Sequence, residues 1–283
     1  MTVDQLKRTI CTSFLIVVIQ WQLSYAQEGV TRGPIPNPET FFSNLVEHYS
    51  PATLPKYEDV LKVTDQIAGE RPEDITKALP AIFTALAFSD GNVKSDAAIA
   101  LFAISLRPDS AAILGDHVND ISSLFSLPNG HLQNAAVGIL SYLRPSPPQE
   151  VVPVLLGFAK QTDRDQIAQG SAVSVLLKIA PTRPDVVSAV QGFLARPLTL
   201  QTKEGVLNGI ASSHTTDQHL VQMLITALDD PNEGIRFTAA QGFQRMPKEA
   251  VLHALPALQR LAVDSSQSAE VKAAASVALQ KVR

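Results

Sequence analysis

A recurring apolar pattern, with a period near the length of one helix pair, constrains this chain more than any other feature. Apolar anchors recur at Leu79, Val118, Val152, Val187, Val221 and Leu255, in nearly even steps of which the first is the longest. Three positions past them stand Ile82, Ile121, Leu155, Val190, Leu224 and Leu258. Six or seven past them stand Leu86, Phe125, Phe158, Leu194, Leu228 and Leu261. That spacing draws one apolar stripe down a helix. A second set of anchors, Val93, Leu132, Ile167, Thr202, Ile235 and Val271, follows the first at a near-constant offset each time. Small residues then dominate at +4 and +7, such as Ala97, Ser171, Ser174, Gly209 and Gly242, with Leu101, Leu140, Val175, Ile210, Phe243 and Leu279 at +8. Two helices joined by a tight turn, repeated about six times, account for both registers. The small positions let neighbouring helices approach closely. No sustained alternation of apolar and polar residues supports a strand.

Composition agrees with thin layers of packed helices. Apolar residues make up 45% of the chain but aromatics only 6%. The net charge is −4, and −5 once Asp4, Lys7 and Arg8 are set aside with the leader described below. Nucleic-acid binding needs a basic footprint, so a partner of that class is not expected.

Pairs of residues within the repeats carry a family resemblance. Val93-Lys94 with Ala97-Ala98, Ile235-Arg236 with Ala239-Ala240, and Val271-Lys272 with Ala275 resemble the second helix of HEAT repeats. Leu79-Pro80-Ala81-Ile82, Val152-Pro153-Val154-Leu155 and Leu255-Pro256-Ala257-Leu258 resemble the first, which bends at its proline. The resemblance implies an all-α, right-handed superhelix: a HEAT-like solenoid of about six helix pairs over residues 72–283. It also implies that Lys94, Lys203, Arg236 and Lys272, each one past a second-helix anchor, form a ladder to acidic groups of the adjacent unit. Asp90 and Asp230 stand near enough in sequence to pair with Lys94 and Arg236. The unit from Asp109 to Leu143 is long and predicts an extra turn at Ser110 to Gly115. Before the array, residues 39–71 predict two more helices that cap the stack, since a terminal apolar face must be covered.

The first 26 residues read as a signal peptide. Lys7 and Arg8 precede an apolar run from Thr9 to Ile19, and Ser24-Tyr25-Ala26 places small residues before a cleavage point at Gln27. That run is too short to span a bilayer, so no membrane span is expected after cleavage. Residues 27–38, with Pro34, Pro36 and Pro38, predict an extended linker. The location expected is secreted or periplasmic. The absence of an Asn-x-Ser/Thr sequon after the leader leans towards a bacterial source. Cys11 is the only cysteine and leaves with the leader, so disulfides, thiol catalysis and cysteine-based zinc sites are not available to the mature chain.

No catalytic motif, cofactor fingerprint or metal-ligand spacing is present. His214 and His219 lie about 140° apart on a helix and cannot share a metal on one face. Asp217 between them reads as a helix cap, as do the residues of the acidic turn Asp229-Asp230-Pro231-Asn232-Glu233. The expected function is therefore a non-enzymatic scaffold for a protein or peptide partner, without cofactor. The alternative is an enzyme-associated module like the HEAT-like lyases, against which the missing cysteines and aromatic clusters count. In the resembling family the second helices line the concave side. Candidate partner-binding residues there are Gln133, Asn134, Gln169, Glu204, Asn208, Thr238, Gln241 and Gln244. Being mostly neutral amides, they predict hydrogen-bonded recognition with weak salt dependence.

Overall fold

The computed structural model of the chain describes residues 37–50, 55, 57–144, 147 and 150–282. The expected leader and nearly all of the expected linker lie outside them. Every regular element among the described residues is helical. No helix among them is long and apolar enough to cross a membrane. The described residues fall into two compact units, divided between Ile104 and Ser105.

The first unit holds α1 (Pro38–Glu47), α2 (Tyr57–Gly69), α3 (Pro72–Ala87) and α4, which begins at Gly91 and ends at Ser105. Helix α1 starts at the last residue of the expected linker. Asn37 is its cap, accepting from the Thr40 N–H at 2.9 Å, and Pro38 sits where a missing N–H costs nothing. Phe41 and Phe42 meet edge to face at 5.2 Å, and α1 packs along α3. Pro80 lies inside α3 and forfeits one of its backbone bonds. The predicted stripe is buried throughout: Leu79, Ile82 and Leu86 on α3, and Val93, Ala97, Ala100 and Leu101 on α4.

The second unit opens with the long repeat, whose first helix is broken. Short helices α5 (Ser110–Leu114) and α6 (Val118–Ser122) alternate with single 3-10 turns. The expected extra turn is thus present. It is held by buried Ser110, whose hydroxyl accepts from the Arg144 N–H at 2.8 Å, and by the Ala111 N–H on the Arg144 carbonyl. Pairs then follow in order: α7 (Gly130–Tyr142), α8 (Val151–Lys160), α9 (Gln166–Ile179), α10 (Pro184–Leu194), α11 (Leu200–Ser212), α12 (Gln218–Ala227) and α13 (Glu233–Arg245). The last pair has a split first helix, α14 (Lys248–His253) and α15 (Leu255–Val263), before α16 (Ala269–Leu279).

The second helices α7, α9, α11, α13 and α16 pack on one another in sequence along most of their lengths, whereas successive first helices touch at few positions. Missing side chains explain the difference. A Cβ on Gly209 would lie 3.1 Å from the Ser174 Cα, one on Gly242 3.1 Å from the Ala211 Cβ, and one on Gly170 2.9 Å from the Thr202 methyl. The Ser174 hydroxyl crosses this narrow seam to the Gly205 carbonyl at 3.2 Å. Between first-layer elements the contact is aromatic: Phe125 and Phe158, at matching places in adjacent repeats, stack at 4.2 Å.

The predicted prolines have three different effects. Pro80 is interior to α3, Pro153 falls in the first turn of α8 where its N–H has no partner to lose, and Pro256 follows the break between α14 and α15. Two stripe residues, Leu194 and Leu255, are only half-buried. The larger correction concerns α9. Ile167, expected to anchor it, is 45% exposed, and Ser171, Ser174 and Val175 are half-buried. The buried set is Ala168, Ala172, Val173, Leu176 and Leu177, one position later. Asp165 caps the Ala168 N–H at 2.8 Å, which fixes where the helix starts and so which side faces inward.

Candidate functional site

In five of the six repeats the side chain one past the second-helix anchor ties parts of the fold together; Lys272, expected to join the ladder, makes no such bond among the described residues. In the first unit the Lys94 ammonium donates to the Leu86 carbonyl at 3.2 Å, the end of its own first helix. Its expected partner Asp90 instead accepts from the Tyr49 hydroxyl at 2.7 Å and from the N–H groups that open α4. In the second unit Lys203 pairs with Asp230 of the next repeat, as the ladder predicts. Arg236 donates to the carbonyls of Asp230 and Pro231 and to the Gln267 side chain of the following repeat.

Gln133 follows Leu132, and with the register of α9 corrected Gln169 follows Ala168. Both therefore occupy this same tie position, and both leave the list of exposed candidates. Gln133 is 2% exposed; its amide donates to the Leu127 carbonyl at 2.6 Å and its oxygen accepts from the Asp165 N–H of the next repeat at 3.2 Å. Gln169 is 1% exposed and donates to the carbonyls of Phe158 and Gln161 at 3.0 and 2.7 Å. A helix leaves its last carbonyls without partners, and a buried amide or cation here satisfies them. The shared position beside Lys94, Lys203 and Arg236 was the sequence signal for this role. Thr238 is also buried, at 9% exposure.

The remaining five candidates reach solvent. Asn134, Glu204 and Gln244 are half-buried and Gln241 is exposed. Asn208 is half-buried and already engaged, accepting from the Arg245 guanidinium at 2.6 Å; Gln244 donates to the Ala274 carbonyl at 3.1 Å. Asn134, Glu204, Asn208 and Gln241 fall two or six past their anchors, so they lie in register along one face of the second-helix layer. Phe237, two past Ile235, lies on that face too and is half-buried, an apolar side chain among polar ones.

The turns carry capping chemistry. Asp217 accepts from the His219 and Leu220 N–H groups at the start of α12, as expected. Asn232 caps α13 in the same way. His214 adopts φ 50 just past the end of α11, and its Nδ1 lies 3.0 Å from the Arg245 carbonyl. Among the described residues no three of His, Cys, Asp and Glu are grouped so as to hold a metal ion. A cavity of about 230 Å³ opens at the turns around Asp229, Asp230, Arg236, Arg260 and Asp264. Its charges answer one another. Arg260 holds both oxygens of Asp229 at 2.8 Å, Asp230 holds Lys203, and bonds from Gln267 and Ser266 depress the Asp264 carboxyl to about 2.

A HEAT-like repeat protein from Thermococcus onnurineus NA1 superimposes on this arrangement with a TM-score of 0.53, over 89% of this chain and 100% of that one, at 18% identity. The chain has the fold of a HEAT-like solenoid. A homology model of the full-length AP-3 complex also matches, with a TM-score of 0.57 at 14% identity over 86% of this chain, which spans 45% of that one. No family model matches the solenoid, and no curated protein matches it in sequence.

Proposed function

We propose that this solenoid is a non-catalytic scaffold that takes a polypeptide partner on the free face of its second helices, around Asn134, Glu204, Phe237 and Gln241. The carrying observation is that this face of the second unit still holds side chains that the fold does not use. The tie residues Gln133, Gln169 and Arg236 are spent on backbone carbonyls and Lys203 on the Asp230 carboxylate, whereas Gln241 remains exposed in register with Asn134 and Glu204. Chemical cross-linking from a photoreactive residue at position 241 tests the reading. A partner captured there, and lost when Asn134 and Glu204 become alanine while the photoreactive residue stays at 241, supports it. Capture only from Gln259 on α15 overturns it.

Export is the second part of the proposal. It rests on Lys7-Arg8, the apolar run and Ser24-Tyr25-Ala26. The mature protein should begin at Gln27 on N-terminal sequencing; an intact Met1 in an exported fraction refutes cleavage.

A further inference from the structure

The second helices of the 105–283 unit run in parallel, so their C-terminal ends share one rim. Cross-links fix that register. Asn208 meets Arg245, Gln244 meets Ala274, and Lys281 donates to the carbonyls of Gln244 and Met246. Lys178, Arg245 and Lys281 each stand ten positions past their anchors Ala168, Ile235 and Val271, and Arg144 stands at the end of α7. The rim therefore gathers four cations.

Their environment differs from that of the chain's ion-paired surface cations. Arg71, Lys77, Arg183 and Arg260 all sit on carboxylates, at distances of 2.6 to 3.0 Å. Among the described residues none of the four rim cations has a carboxylate within ion-pair distance. Arg144 and Lys178 crowd instead over a single ring, each 5.9 Å from the centroid of Tyr142. Burial, and then the charge of Arg144, lowers the pKa of Lys178. Two like charges are thus held together without an answering anion. A cation at a helix C-terminus is stabilised by the helix dipole. That accounts for one charge per helix end but not for Arg144 and Lys178 sharing a ring. The surplus is local, since the chain as a whole carries a net charge of −4.

We propose that this rim docks an acidic segment of a polypeptide, with carboxylates seated at the Arg144–Tyr142–Lys178 cluster and again at Arg245 and Lys281. The proposal rests on the scaffold reading and adds the chemistry of the partner: its charge is negative where it crosses the helix ends. Carboxylates would relieve the repulsion between Arg144 and Lys178 and complete both cation–π arrangements. Recognition at the rim is then charge-driven and screened by salt, unlike recognition by the amides of the neighbouring face.

Fluorescence anisotropy with a labelled octaglutamate peptide tests this on the full mature chain. Octaglutamine, octalysine and a single-stranded oligonucleotide of the same length serve as comparison probes. Octaglutamate should bind at least about tenfold more tightly than octaglutamine, and its affinity should fall about tenfold between 50 and 300 mM salt. Arg144→Gln with Lys178→Gln should abolish most of that preference, and Lys178→Glu alone should do the same, with circular dichroism confirming that both variants fold. Equal binding of octaglutamate and octaglutamine, an unchanged preference in folded rim variants, or tighter binding of the oligonucleotide overturns the proposal. None of these results touches the Gln241 cross-linking outcome, so the scaffold reading stands or falls separately.

Discussion

Replacing Gln169 with leucine separates a structural tie from a binding residue. The two side chains are close in volume, so the core of α9 stays filled and the loss is confined to hydrogen bonds. Three vanish: those to the Phe158 and Gln161 carbonyls, at 3.0 and 2.7 Å, and a longer one accepted from the Arg196 guanidinium at 3.5 Å. Neither carbonyl is left bare. Phe158 keeps the Gln161 N–H at 3.2 Å, and Gln161 keeps the Arg196 guanidinium at 2.8 Å. The cost should therefore sit in the lower part of the range for buried polar groups, about 1–2 kcal/mol. With a urea slope of about 2 kcal/mol per molar, that moves the midpoint of the unit down by roughly 0.5–1 M. Gln241→Ala on the exposed face supplies the comparison and should move stability by less than about 0.5 kcal/mol. Urea titrations of both variants followed by circular dichroism give the two shifts directly. If Gln241→Ala costs as much as Gln169→Leu, or Gln169→Leu costs nothing, the assignment of one glutamine to the fold and the other to the surface is wrong.

The two leucines at the centre of their stripes, Leu155 and Leu224, are both fully buried, and truncation of either to alanine should cost about 2–5 kcal/mol in thermal melts. Gly209→Val places branched carbon against the Ser174 backbone and should destabilise by about 1–3 kcal/mol. Gly157→Ala, with open space at its Cβ, should stabilise α8 by up to about 1 kcal/mol; the opposite order in melting temperature would refute the close-approach argument. Burial, followed by the nearby charge of Asp90, raises the carboxyl of half-buried Asp96 from 3.8 to about 7. The folded state then binds the extra proton between those values, so stability should fall as pH rises from about 4 to about 7. Asp96→Asn should flatten that slope and raise the melting temperature at pH 8; an unchanged slope would show that Asp96 does not carry it.

Helix pairing was written in the sequence because its signal is local. An i, i+3, i+7 stripe names a buried face whatever packs on it, and Leu79, Val118, Val152 and Val221 anchor as their spacing says. Small residues at fixed offsets likewise foretold the close approach at Gly209 and Gly242. Other features needed neighbours. Ile167 has the residue type of an anchor, yet the Asp165 cap and the approach of Thr202 to Gly170 turn Ala168 inward instead. A polar side chain on a helix gives no sign of whether a bare carbonyl lies within its reach. Gln133 finds one at Leu127 and Gln169 one at Phe158, while Gln241 finds water, and only tertiary packing distinguishes them. The cationic rim follows the same rule. Lys178 and Arg144 stand a full repeat apart in the chain and are ordinary one at a time; parallel stacking of α7 and α9 brings both over the ring of Tyr142, and proximity makes their charge a surplus.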